Sequence, residues 1–188
     1  MATKKRIYDK NTLEFVTVTL EFCALIEAVS SHTVFSFTDK AVKILPLLYL
    51  KATLLPVDEE QEWDDEVYTE HFITENTYEA IRQRIAGLLG GYDSYLETFH
   101  PDMKYSDMPI AATISEDLAD VYQDLGDFVA LFRQENEEVM EQALSVCTDN
   151  FRLYWGQKLL NALKALHVAR FNEDLSSEDN DLTEENME

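Results

Sequence analysis

Five acidic residues between positions 116 and 127 have the spacing of one face of a helix. At about 100° per residue, their side chains fall within one arc of about 100°. Carboxylates grouped in this way can hold Mg²⁺ or Mn²⁺ when acids from a second helix face them. The five residues are Glu116, Asp117, Asp120, Asp124 and Asp127. The chemistry that this pattern permits is metal-dependent phosphohydrolysis, with Asp117, Asp120 and Asp124 as candidate metal ligands.

The same segment has a complete apolar face, which supports a simpler interpretation of the acids. The apolar residues occupy a different arc of the helix: Leu118, Val121, Tyr122, Leu125, Phe128 and Phe132. We therefore expect the acids to form the solvated side of an amphipathic helix, and we favour this over a metal site. A metal site would need acids from a second helix, for which Glu135, Glu138 and Glu141 are candidates.

The segment from Phe151 to Phe171 contains basic residues and no acid. Its apolar residues cover most of the helical wheel, which predicts a core helix in which Trp155 is buried. We expect its basic groups to meet acids of neighbouring helices or to extend to the surface. The alternative is an anion pocket lined by Arg152, Trp155 and Lys158, because binding sites combine aromatic walls with a few polar groups.

A long connection spans residues 100–112 and carries Tyr105, Ser106 and Asp107. Long loops carry binding residues more often than helices do, so Tyr105 and Asp107 are candidate binding residues. The favoured interpretation is a plain crossover held by apolar residues on either side of these three.

The remaining chemistry-bearing residues form no recognisable catalytic motif. The four histidines are scattered, and phosphate-binding glycine loops and nucleophile motifs are absent, so we expect no cofactor. Cys23 and Cys147 lie within apolar helical patterns and are typical of buried thiols in a reducing compartment. The sequence does not decide whether the protein is an enzyme, and we favour a protein without enzymatic activity.

Helical periodicity extends along most of the chain, and no β signature is evident. The predicted helices span residues 12–29, 37–54, 75–89, 113–132 and 136–168. Asn11 and Thr74 are the expected N-caps of the first and third helices, and Thr113 with Glu116 opens the fourth. Residues 92–98 could add one or two helical turns after the third. Pro46 should kink or divide the second helix, and a break is expected near 148–150 in the last. These patterns predict an all-α, compact bundle of about five to seven helices around the first and last of them. The predicted domain covers residues 8–171, followed by a disordered acidic tail over 172–188.

The net charge of −22 arises largely from two segments, with seven acids in 58–66 and eight in 173–188. No basic stripe is present, so binding to nucleic acid or to an anionic membrane is not expected. Neither a signal peptide nor a transmembrane segment is evident, which indicates a cytoplasmic protein. The negative charge permits binding to another protein with a basic surface. The sequence does not specify the oligomeric state.

Four stretches carry a resemblance to a known family: 8–23 (YDKNTLEFVTVTLEFC), 43–56 (KILPLLYLKATLLP), 103–129 (MKYSDMPIAATISEDLADVYQDLGDFV) and 151–167 (FRLYWGQKLLNALKALH). Over residues 8–168 the chain resembles a family of uncharacterised bacterial proteins, the domain of unknown function numbered 5063. The resemblance implies a compact helical fold and no particular activity.

Three functional hypotheses follow from these observations. The first is a non-enzymatic cytoplasmic binding or scaffold protein, because no catalytic pattern is stronger than its structural explanation. The second is a metal-dependent phosphohydrolase that uses the carboxylates of the fourth helix. The third is an acidic mimic that occupies a basic surface on another protein, which requires negative charge organised on the folded body.

Overall fold

The computed structural model describes residues 5–56, 70–97 and 108–172. Within them the chain forms six α-helices and one small sheet. The elements in chain order are α1 (Lys10–Glu27), α2 (Val34–Thr53), α3 (Glu75–Leu89), β1 (Ser94–Glu97), β2 (Ile110–Thr113), α4 (Ile114–Phe132), α5 (Glu137–Asn150) and α6 (Gly156–Arg170). The predicted helical fold is therefore confirmed, whereas the acidic loop up to residue 69, Tyr105, Asp107 and the predicted tail from residue 173 lie outside the described residues.

Side-chain caps decide where the helices begin. Thr74 accepts a hydrogen bond from the N–H of Thr77 at the start of α3, and Thr113 accepts one from the N–H of Glu116 at the start of α4, as the sequence predicts. The cap of α1 is Asp9 rather than Asn11, so this helix begins earlier than predicted.

Helix α2 also begins earlier than predicted and is longer. A capping box joins Thr33 to Ser36, so the helix starts at Val34. The helix continues through Pro46, and the predicted division does not occur. Pro46 lies on the exposed side, while Leu45 and Leu48 are fully buried, so the helix keeps core contacts before and after the proline.

A two-stranded antiparallel sheet contradicts the expectation of a chain without β structure. Strand β1 pairs with β2 in a register that places Ser94 opposite Thr113 and Glu97 opposite Ile110. The prediction that 92–98 adds helical turns is wrong. The strands are only four residues long, and twelve residues separate them, so no tight-turn signal marks the hairpin in the sequence.

A π turn joins α5 to α6 at Phe151–Trp155. The sequence predicts an interruption slightly earlier, near 148–150. Gly156 follows the turn, and a Cβ atom at this position would collide with the carbonyl oxygen of Phe151. A larger residue would therefore force the turn to change, and π turns of this kind occur frequently at functional sites.

Helix α4 lies at the centre of the described structure. It packs against α1, α3, α5 and α6, whereas the sequence pattern placed α1 and the helix after Phe151 at the centre. Apolar residues of these helices form one core that includes Phe15, Leu118 and Trp155. No helix in residues 5–56, 70–97 or 108–172 is long and apolar enough to span a membrane.

Candidate functional site

The acidic side of α4 faces the protein interior, and the expectation of a solvated face is wrong. Asp117 and Asp120 are only 3% and 8% exposed, Asp127 is also buried, and Glu116 alone of the five is well exposed. The reason is the central position of α4, since α3, α5 and α6 cover its polar side as well as its apolar side. Those helices provide polar partners that a helical wheel of α4 alone cannot reveal.

The first two of these aspartates share an ammonium group and three tyrosine hydroxyls. Lys158 Nζ lies 3.3 Å from Asp117 Oδ1 and 3.0 Å from Asp120 Oδ2. Tyr78 and Tyr154 each donate a hydrogen bond of 2.8 Å to Asp120. We use the name lysine network for these five residues together with Tyr95.

Tyr95 completes the lysine network, because its hydroxyl donates to Asp117 Oδ2. The network joins α3, β1, α4 and α6, so residues far apart in the sequence meet at one point. It contains two carboxylates and one ammonium, so its acidic groups outnumber its basic group by one.

At both Asp117 and Lys158, burial and the oppositely charged neighbour shift the pKa in opposite directions. Burial raises the pKa of Asp117 to about 6, although the hydrogen bond from Tyr95 and the ammonium of Lys158 act against that rise. Burial acts to lower the pKa of Lys158, but its hydrogen bond to Asp120 and the two aspartate charges raise it above the ordinary value. Lys158 thus stays protonated at neutral pH, while Asp117 ionises close to neutrality.

A cavity of about 330 Å³ opens beside the lysine network, between the hairpin, α4 and α6. Among the described residues, three carboxylates line it, from Glu97, Glu116 and Asp117, and the one ammonium belongs to Lys158. Ile110 and Leu153 add apolar surface. The described walls therefore favour a ligand that combines positive charge with apolar atoms.

The π turn supplies one rim of this cavity. It exposes Leu153, while Trp155, two residues later, is fully buried, as the sequence predicts. Tyr154 between them is half-exposed: its hydroxyl is tied to Asp120, and its ring lies 5.7 Å from Lys158 Nζ. An aromatic ring and an aliphatic side chain are thus presented next to the carboxylates.

The second aspartate pair of α4 has different surroundings. Asp127 Oδ1 accepts hydrogen bonds from the backbone N–H groups of Phe72 (2.6 Å) and Ile73 (2.8 Å), and Asp127 Oδ2 lies 2.7 Å from His71 Nδ1. Asn150 donates to Asp124 at 2.5 Å. Burial raises the pKa of Asp124 to about 6, with the nearby Asp127 and Asp120 charges adding to the rise. This pair borders a smaller cavity of about 190 Å³.

The alternative of an anion pocket lined by Arg152, Trp155 and Lys158 does not fit the positions of these residues. Trp155 lies in the core, where its Nε1 donates to the carbonyl of Cys147 at 3.1 Å. Arg152 is exposed and lies 3.9 Å from Asp149 of α5, and the ammonium of Lys158 is held by aspartates. The expectation that basic groups of this segment meet acids of other helices is confirmed for Lys158.

Carboxylates from a second helix do not face the aspartates of α4. Glu141 instead accepts a hydrogen bond from Arg6 at 3.1 Å, and Glu135 and Glu138 are exposed. Within the described parts of the chain, no group of three or more histidine, cysteine, aspartate or glutamate side chains is arranged to hold a metal ion. The ammonium of Lys158 occupies the position between Asp117 and Asp120 that a cation would take.

The sequence did not indicate four polar residues of this site, namely Tyr78, Tyr95, Glu97 and Tyr154. The sequence pattern marks Tyr78 only as part of the apolar stripe of α3 and Tyr154 only as part of an apolar segment, and Tyr95 and Glu97 belong to the strand that was not predicted. One signal in the sequence pointed to this site: a helix without acids and a helix rich in acids. This signal correctly indicates that Lys158 pairs with aspartates. It does not indicate which tyrosines bind the same aspartates.

Comparison with known proteins confirms the resemblance noted in the sequence. A model of the family described as a domain of unknown function (DUF5063) matches residues 6–172. The crystal structure of protein BF1032 from Bacteroides fragilis is similar, with a TM-score of 0.77 and 41% identity over 89% of this chain and 97% of that one. No curated protein matches the chain. The match over residues 6–172 shows that the chain belongs to the DUF5063 family.

Proposed function

We propose that the protein is a non-enzymatic binding protein and that its site is the cavity beside the lysine network. The ligand group that this cavity accepts is a cation. One observation carries the proposal: in a cavity of about 330 Å³, the carboxylates of Glu116 and Asp117 lie on the described walls with a single ammonium, which two aspartates already engage.

The electrostatics of the walls support a cationic ligand over an anionic one. Asp117 shares the charge of Lys158 with Asp120, so one ammonium is divided between two carboxylates. Glu116 is exposed at the first turn of α4 and can meet an incoming positive charge directly. An anion would have to approach these carboxylates without a free basic group on the described walls.

The two alternatives have less support. For a phosphohydrolase that uses Asp117, Asp120 and Asp124, the first two carboxylates already bind an ammonium, and Asp124 lies further along α4, where it accepts a hydrogen bond from Asn150 of α5. For an acidic mimic, charge must be displayed on the surface of the body, whereas Asp117, Asp120 and Asp127 are buried.

A matched pair of variants and a matched pair of ligands test the proposal. N-acetyl-arginine amide is the cationic probe, and N-acetyl-citrulline amide is its neutral analogue of similar shape. Glu116→Gln removes a carboxylate from the cavity, whereas Glu138→Gln removes one from the same position, the first turn, of a different helix. Binding is measured by isothermal titration calorimetry at pH 7.5.

The expected result is binding of the arginine probe and not of the citrulline probe. Loss of a charge-assisted hydrogen bond should weaken binding to Glu116→Gln by about tenfold, while Glu138→Gln binds as the parent does. Equal weakening in both variants would show a nonspecific effect of net charge. Equal binding of the two probes, or no binding of either, would contradict the proposal.

A further inference from the structure

We infer that the cation is a basic side chain carried by a partner protein, and that the partner packs an apolar side chain on Leu153 and Tyr154. This inference rests on the proposed function. It adds the source of the cation, which could otherwise be a small free amine.

Leu153 is the observation that separates these two sources. It is 84% exposed, more than any other large apolar side chain in the described residues, and it lies on the edge of the cavity. A small amine in the cavity would be held by Glu116 and Asp117 and would leave Leu153 in water. A polypeptide that inserts a basic side chain brings neighbouring residues across the rim, where Leu153 can be buried.

Tyr154 gives the rim a rigid aromatic component. Its ring is 46% exposed, and its hydroxyl is fixed by the 2.8 Å hydrogen bond to the buried carboxylate of Asp120. A ring held in this way loses little conformational entropy on binding. Tyrosine, leucine and carboxylates around a concave site provide apolar contact and a charged anchor together, and arginine is enriched in the energetic centres of interfaces.

Charge complementarity determines the chemistry of the partner. The cavity carboxylates and the overall charge of −22 favour a basic surface and disfavour nucleic acid. The cavity of about 330 Å³ is wide enough for one arginine or lysine side chain but not for a folded element. The partner is therefore a protein segment in which a basic residue lies next to an apolar one.

The test compares one peptide with the single capped amino acid. Acetyl-Leu-Arg-Leu amide is the probe peptide, and acetyl-Ser-Arg-Ser amide carries the same charge without apolar neighbours. Leu153→Ala removes the apolar rim, and Leu50→Ala removes a leucine that is also exposed but does not line the cavity. Both substitutions change exposed helical residues, and thermal melting of each variant verifies that it is folded.

The expected result is that acetyl-Leu-Arg-Leu amide binds about tenfold more tightly than N-acetyl-arginine amide. Leu153→Ala should remove this gain, so that the variant binds the leucine peptide and N-acetyl-arginine amide with equal affinity, while Leu50→Ala keeps the difference of about tenfold between them. The serine peptide should bind no more tightly than N-acetyl-arginine amide.

Two other outcomes would overturn the inference in distinguishable ways. If N-acetyl-arginine amide binds and the leucine peptide shows no gain, or keeps its gain in Leu153→Ala, the rim does not recognise a partner and the proposed function stands with a small amine as ligand. If neither the single capped arginine nor the peptide binds, both the inference and the proposed function are wrong.

Discussion

Two aspartate pairs with the same spacing lie seven residues apart on α4, and the structure uses them differently. Asp117 and Asp120 bind an ammonium and tyrosine hydroxyls beside the larger cavity. Asp127 binds two backbone N–H groups, and Asp124 binds an amide. The first pair binds side-chain groups, whereas Asp127 holds the backbone of the segment that leads into α3.

This difference explains why the first pair is the better candidate for ligand binding. The carboxylate of Asp127 accepts bonds from the segment that leads into α3, so its hydrogen-bonding capacity is used to hold Phe72 and Ile73 in place. The lysine network contains an excess carboxylate charge next to an open cavity. Equal spacing in sequence is therefore compatible with a structural role at one end of α4 and a binding role at the other.

The largest expected effect is that of Lys158→Met, which removes the only ammonium of the lysine network. Asp117 and Asp120 would remain buried without a counter-charge, at a cost of about 3–5 kcal/mol in the free energy of unfolding. His71→Ala at the other pair should cost less than about 1 kcal/mol, because the His71 side chain is 75% exposed. Urea denaturation at pH 7.5 measures both, and equal losses would remove the distinction between the two pairs.

Asp127→Ala should have the next largest effect. The N–H groups of Phe72 and Ile73 lose their acceptor, which costs about 2–3 kcal/mol. Asp127→Asn is the control, since it retains an amide oxygen as acceptor and should cost less. Neither variant should change binding of N-acetyl-arginine amide at the other cavity. A loss of that binding would show that the two ends of α4 act as one site.

A smaller effect is expected in the pH dependence of stability. The pKa of Asp124 is about 6 in the native state and starts from an ordinary value of 3.8, so between these values the native state holds a proton that the unfolded state has released. Its contribution to the free energy of unfolding therefore falls as pH rises from about 4 to about 6, by about 1–3 kcal/mol. Asp124→Asn should remove this part of the slope and leave the part due to Asp117, whose pKa is also raised to about 6, and urea denaturation across the range measures the difference. An unchanged slope would place the titration at another group.

The smallest expected effect is that of a divalent metal ion. Because Lys158 holds Asp117 and Asp120 and Asn150 holds Asp124, we expect Mn²⁺ to leave the melting temperature unchanged. An ion that bound the native state alone would stabilise it by about 2.7 kcal/mol at a hundredfold excess over its dissociation constant. A rise of that size, lost in Asp117→Asn, would favour the phosphohydrolase.

Local signals in the sequence predicted most of the helical structure. Thr74 and Thr113 cap their helices as expected, α3 has the predicted bounds, and Trp155 is buried as its apolar surroundings indicate. Capping and helical periodicity depend on residues within a few positions of one another, so they can be read along the chain. The pairing of β1 with β2 could not be predicted in this way, because two strands of four residues meet across a long connection without a turn motif.

The composition of α4 alone determined that its aspartates share one face, and only the tertiary structure decided what that face meets. A helical wheel separates polar from apolar sides, but it does not show whether the polar side is covered by water or by another helix. Here Tyr78, Tyr95 and Lys158 come from α3, β1 and α6, and they reach Asp117 and Asp120 because α4 lies at the centre of the bundle. The burial that raises the pKa of Asp117 to about 6 is a product of that packing, since its ordinary value of 3.8 is a property of the residue type.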